Sequence, residues 1–141
     1  MPLPQPEPLT PESFAPFGKV LRREAAGDPF QPLHKDEQSA GWRVALLEVS
    51  PGPLPRVHRH PDSEECFAPL FGDLYIAVAP PEDPKAYRLF NLSEPVLVRR
   101  TVWHEIISRT PGRVFIAENA RISGEDHWIN PPIEWSESIQ N

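Results

Sequence analysis

The chain is short of almost everything that would commit it to a membrane, a nucleic acid or the secretory route. It has one cysteine, Cys66, so no internal disulfide can form. Nowhere does it approach the roughly 18 consecutive apolar residues that a membrane span needs. Positive charge is in deficit, with 14 Lys and Arg against 20 Asp and Glu and a net charge of -6. Without a basic stripe to neutralise phosphates, nucleic acid is excluded as a partner and small molecules are favoured. The opening Met1-Pro-Leu-Pro-Gln-Pro-Glu-Pro8 has neither the basic region nor the apolar stretch of a secretion signal, so a cytoplasmic location is expected. Helical periodicity is almost absent, and there is no internal repeat or heptad.

What the chain does have is proline, twenty of them, and short segments rich in strand formers. The prolines fall between those segments rather than in one low-complexity block, which predicts stiff, tight turns. Residues 1–141 suit a single domain with one core. Residues 1–7 are expected to be an N-terminal arm, and 121–141 a polar C-terminal tail in which Trp128, Ile133 and Trp135 can pack on the body. Thr10-Pro11-Glu12-Ser13 predicts a capped helical turn, and 23–38 a loop with His34 exposed. Strands are predicted at 18–23, 42–49, 73–79, 87–90 and 112–118, with 96–108 as one long strand bent near Trp103. Such a chain reads as all-β, an antiparallel barrel or sandwich.

The chemistry concentrates between Gly52 and Gly72. In an extended strand alternate side chains share a face, so His58 and His60 point the same way and can share one ion. Pro61-Asp62-Ser63-Glu64 is rich in turn formers, and the apolar run from Cys66 to Phe71 reads as a returning strand. A hairpin there would bring Glu65 beside His60. Either feature alone is ordinarily a solvated surface. Together, in a chain with only five histidines, they point to a metal site. Cys66 follows Glu65, points the other way, and reads as a small buried hydrophobe.

The spacing Gly52, five residues, His58, one residue, His60, four residues, Glu65, six residues, Gly72 resembles the first signature of the cupin superfamily over its full length. That resemblance implies a double-stranded β-helix, a jelly-roll barrel, with a divalent transition metal (Zn, Fe, Ni or Mn) held by His58, His60, Glu65 and a histidine from a second signature. His104 is the candidate. The second signature departs from the family pattern, with Arg99 where proline is usual, Thr101 where glycine is usual and Ser108 where asparagine is usual.

Within cupins the chain is most similar to the ureidoglycolate lyases. The likeness rests on Pro8-Leu-Thr-Pro-Glu-Ser-Phe-Ala-Pro-Phe-Gly18, Arg59-His60-Pro61, Phe67-Ala-Pro69, Gly72, Val102-Trp103-His104 and the strand ending in Glu118. It implies cleavage of a small 2-hydroxy acid, ureidoglycolate, to glyoxylate and urea. The candidates for proton transfer are then Glu64 and Glu118, and those for substrate binding are Arg43, Arg99 and Trp103, an arginine fork being suited to a carboxylate. A homodimer is implied by the resemblance alone. A complete set of metal ligands is also compatible with an oxygenase or isomerase of a small acid or sugar, and the fold with a non-catalytic binding module.

Overall fold

Period-two apolar patterning, cut by Gly and Pro, gives eleven strands and one helix among the described residues, 2–136 of a computed structural model. In chain order they are β1 (Pro6–Glu7), α1 (Pro11–Phe14), β2 (Gly18–Val20), β3 (Arg43–Val49), β4 (Leu54–Arg59) and β5 (Glu65–Phe71). There follow β6 (Leu74–Ala79), β7 (Arg88–Asn91), β8 (Val96–Val98), β9 (Trp103–Ser108), β10 (Gly112–Glu118) and β11 (Glu125–Ile133). They form a six-stranded sheet, β1-β7-β6-β9-β4-β11, and a five-stranded sheet, β2-β8-β5-β10-β3. All neighbours are antiparallel except β1 and β7. This is the all-β architecture that the strand pattern predicted and the jelly roll that the cupin resemblance implied. No helix among the described residues is long and apolar enough to cross a membrane.

Phe14, Phe17, Phe67, Ile76, Val78, Phe90, Val98, Ile106 and Val114 fill the space between the sheets. A second apolar layer coats the back of the six-stranded sheet, where Leu3, Leu54, Val57, Tyr75, Leu89, Trp103 and Ile107 are buried and Ile133 and Trp135 pack against them. Strand β6 lies between the two layers and is buried at all six positions. Its even residues face the inner core and its odd residues the outer one. The arm at 1–7 is held down: Leu3 is buried, its N–H donates to the Glu134 carbonyl at 2.9 Å, and β1 pairs with β7. Thr10 and Ser13 make the reciprocal cap of α1.

Three expectations are corrected. The segment around Pro61–Glu64 is not a hairpin turn, because β4 and β5 lie in opposite sheets. The chain crosses from one layer to the other, and turn-forming residues serve either path equally well. Likewise 96–108 is not one bent strand: β8 and β9 belong to opposite sheets, joined at Thr101, whose φ is 70°. The two crossings touch, with the Thr101 N–H donating to the His60 carbonyl at 3.0 Å. The polar tail contains a strand, β11, paired with β4. In it Trp128 stays 66% exposed, with Arg56 over its ring. The last residues of the tail, 137–141, lie outside the described residues.

Candidate metal centre

Register places the site residues in two facing rows. In the five-stranded sheet Arg43, Glu118 and Glu65 stand abreast on β3, β10 and β5. Across the interior His58 on β4 is opposite His104 on β9, and His60 follows β4 on the same face as His58. Donor atoms of His58, His60, Glu65 and His104 all lie within 4.8 Å of one another. They line a cavity of about 240 Å³ with Arg43, Arg56, Glu105, Glu118 and the apolar Leu47, Phe67, Ile106 and Ile116.

The hydrogen bonds decide which ring atoms are available. His60 Nδ1 is 2.8 Å from the Ser123 carbonyl and His104 Nδ1 is 2.9 Å from the Val102 carbonyl. A carbonyl only accepts, so each ring donates from Nδ1 and turns Nε2 inward. Both Nε2 atoms converge on Glu65 Oε1, at 3.0 Å and 2.9 Å. His58 packs edge-on against His104, with ring centroids 4.6 Å apart. Burial, with the neighbouring His104 and Arg56, pushes the His58 pKa down to about 3. Its imidazole is therefore neutral and offers a lone pair.

Burial works against charge on Glu65, but hydrogen bonds with His104 and His60 outweigh it and hold the carboxyl well below its usual range. His60 is raised, its burial outweighed by the contacts with Glu65. Burial and the adjoining Glu65 carboxylate raise Glu118, while Arg43 works the other way. Burial also raises Glu105.

This donor set fits a divalent transition metal. Three imidazoles and one carboxylate are ligands of that class, and two rings already have the second-nitrogen hydrogen bonds that orient ligating histidines. Bonds of roughly 2.0–2.2 Å put donors on opposite sides of an ion about 4.2 Å apart. The observed spread needs inward shifts of only a few tenths of an ångström.

No family model matches the chain. Among curated proteins it is 32% identical over 120 residues to a ureidoglycolate lyase of Azotobacter vinelandii, covering 70% of this chain and 72% of that one. It is 30% identical over 122 residues to a ureidoglycolate lyase of Pseudomonas aeruginosa, covering 70% and 71%. The chain belongs to the ureidoglycolate lyase family. A crystal structure of a dTDP sugar isomerase from Desulfovibrio desulfuricans matches 89% of this chain and 95% of that one, at a TM-score of 0.51 and 17% identity. That likeness bears on the fold alone.

In this member of the ureidoglycolate lyase family the structure gathers His58, His60, Glu65, His104, Arg43 and Glu118 around one cavity. It does not bring Glu64, Arg99 or Trp103 there. Glu64 is turned to the opposite side from Glu65 and meets His34 at 2.8 Å and Arg100 at 3.6 Å. His34, expected to be exposed, is thereby half-buried. Arg99 donates to the Ala15 carbonyl at the far side of the β8 crossing. Trp103 faces the outer apolar layer, donates to the Pro81 carbonyl and carries the Arg59 guanidinium 4.3 Å above its ring. Cys66 lies on the outer face of β5, partly buried, its thiol pKa raised by that burial.

Sequence reasoning missed two lining residues, Arg56 and Glu105. Arg56 Nε donates to Glu105 Oε2 at 3.3 Å, and its Nη1 to Asp126 Oδ1 at 2.9 Å. Arg56 precedes His58 by two, so strand alternation already placed it on the ligand face. Glu105 carried no comparable signal, because alternation along β9 assigns it to the face opposite His104.

Proposed function

We propose that the protein is a metal-dependent lyase that splits ureidoglycolate, a small 2-hydroxy acid, into glyoxylate and urea. The observation that carries this is a four-donor cluster beside two arginines in one small cavity, in a chain of the ureidoglycolate lyase family. His58, His60, Glu65 and His104 would hold a divalent transition metal, which when bound supplies a Lewis acid that acidifies a substrate hydroxyl.

The chain's own groups do the rest. Arg43 is fixed through Nε to Glu118 Oε2 at 2.7 Å, which leaves its two terminal nitrogens to form a fork on the substrate carboxylate. Glu118 lines the cavity and is the proton carrier. It takes the hydroxyl proton as the carbon–oxygen double bond forms and the carbon–nitrogen bond breaks, and returns it to the departing ureido nitrogen. The apolar floor of Leu47, Phe67, Ile106 and Ile116 keeps bulk water from the reacting carbon. A homodimer, acting in the cytoplasm, completes the proposal.

Purified full-length protein mixed with ureidoglycolate should release glyoxylate and urea in equal amounts, and chelator treatment should abolish the release. No glyoxylate above the uncatalysed rate would refute the reading. Glu118→Gln should keep its metal and lower kcat by about 10²- to 10⁴-fold, the range for loss of a proton-transfer group.

A further inference from the structure

The Arg56–Glu105 pair has no part in the proton transfer or in holding the carboxylate, yet it forms a wall of the same cavity. The two arginines of that cavity are held differently. Arg43 meets Glu118 at 2.7 Å, a closed charge-assisted bond. Arg56 meets Glu105 at 3.3 Å, well beyond the roughly 2.7–2.9 Å of such a bond. Arg56–Glu105 is the looser of the two pairs.

Its parts are nonetheless set in place. Arg56 Nη1 donates to Asp126 Oδ1 at 2.9 Å, and the guanidinium carbon lies 5.3 Å from the centre of the Trp128 ring. These contacts hold the far end of the fork and leave Nε towards Glu105. Glu105 is held in turn by the Ile106 N–H, which donates to Oε1 at 3.1 Å, leaving Oε2 beside Arg56. Arg56 Nε–H and Glu105 Oε2 thus meet each other only loosely, at 3.3 Å, and a bound group that supplied both an acceptor and a donor could part them. A ureido or amide group carries the complementary pair, a carbonyl oxygen flanked by N–H.

We infer that Arg56 and Glu105 form the subsite for the ureido end of the substrate, Arg56 donating to its carbonyl and Glu105 accepting from its N–H. This deepens the lyase reading and rests on it. The site then takes small acids with a carboxylate at one end and an amide-type group at the other, held at Arg43 and at Arg56–Glu105. Acids that lack the amide keep only one anchor.

The test is calorimetric binding of two probes to the full chain as purified. Oxalurate, the 2-oxo analogue of ureidoglycolate, keeps the carboxylate and ureido groups but has no hydroxyl through which to eliminate urea. Glycolate has the carboxylate and hydroxyl without the ureido group. Arg56→Gln and Glu105→Gln should each weaken oxalurate by about tenfold or more, the worth of a hydrogen bond to a charged group. Glycolate affinity should change by less than about twofold, and metal content should stay at the wild-type level. Equal weakening of both probes, no weakening of either, or a wild type that fails to bind oxalurate overturns the subsite.

The lyase reading fails separately. If the variants lose oxalurate selectively while the wild type forms no glyoxylate, the subsite stands and the reaction does not. If glyoxylate forms but the probes do not separate, the reaction stands and the subsite does not.

Discussion

At the scale of single residues, the three clustered histidines are not held alike. His58 is positioned by packing, whereas His60 and His104 are aimed by backbone carbonyls. For His60 the support runs one step further. Asp62 Oδ2 accepts from Ser123 N and Ser123 Oγ, each at 2.9 Å, and the Ser123 carbonyl accepts from His60. On the metal-dependent reading proposed above, removing any one of these imidazoles should empty the site. Elemental analysis of untagged His58→Ala, His60→Ala and His104→Ala should show metal lost from each, and wild-type content in all three would refute the centre. Asp62→Ala is the finer test, because it removes no ligand. It should lower metal affinity by about 10- to 100-fold, the usual effect of losing an outer support, read by competition with a coloured chelator. An unchanged affinity would mean that the loop around Ser123 holds its place without Asp62.

At the scale of elements, the site depends on two chain crossings packed side by side, at 60–64 and 99–102. They bring β4, β5 and β9 to one point although β5 shares no sheet with the other two. The second crossing stores strain. Thr101 is β-branched and has φ 70°, a left-handed conformation costing a non-glycine residue about 1–2 kcal/mol. Thr101→Gly removes that cost but adds unfolded-state entropy, so the net gain should be of the order of 1 kcal/mol. Calorimetry should show Tm higher by a few degrees, and a lower Tm would mean that the Thr101 side chain earns its position by other contacts. What was legible follows from the same elements. His58 and His60 were readable as a pair because two-residue alternation is local. The partner of β4 was not, since a hairpin and a crossover begin with the same Pro61-Asp62, and the choice is made by β9 and β11 far along the chain. Strand β11 was hidden by Pro131 and Pro132, which fit an edge strand and interrupt its pattern. Glu118 was legible as the end of a strand, but its place between Arg43 and Glu65 appears only when three strands come into register.

At the scale of the whole molecule, the two sheets have four outer edges, and they are unequally protected. Strand β1 is two residues long and β2 three, while β11 carries two prolines. Strand β3 has seven residues and no proline, and Val44 and Leu46 on its outward face are 51% and 61% exposed. A long apolar edge of this kind offers unpaired N–H and C=O groups to another chain. The outer face beside it is apolar as well, because register continues the row from Leu46 to Phe115 and Ala68. An antiparallel β3–β3 contact about a twofold axis is self-complementary and closes after two copies, so it yields a dimer rather than a fibre. Light scattering should give the mass of two chains. Val44→Lys with Leu46→Lys should give one chain with unchanged far-ultraviolet dichroism, since both side chains face outward and leave the core untouched. A wild-type protein that runs as a single chain at micromolar concentration would refute the contact and leave the β3 edge guarded by Arg43 and Glu48 alone. A dimer formed this way would also bear on the site, because Arg43 begins the strand that would pair. Tethering β3 on its second side should narrow the motion of that arginine, so the double variant should raise KM for ureidoglycolate while leaving its metal content unchanged.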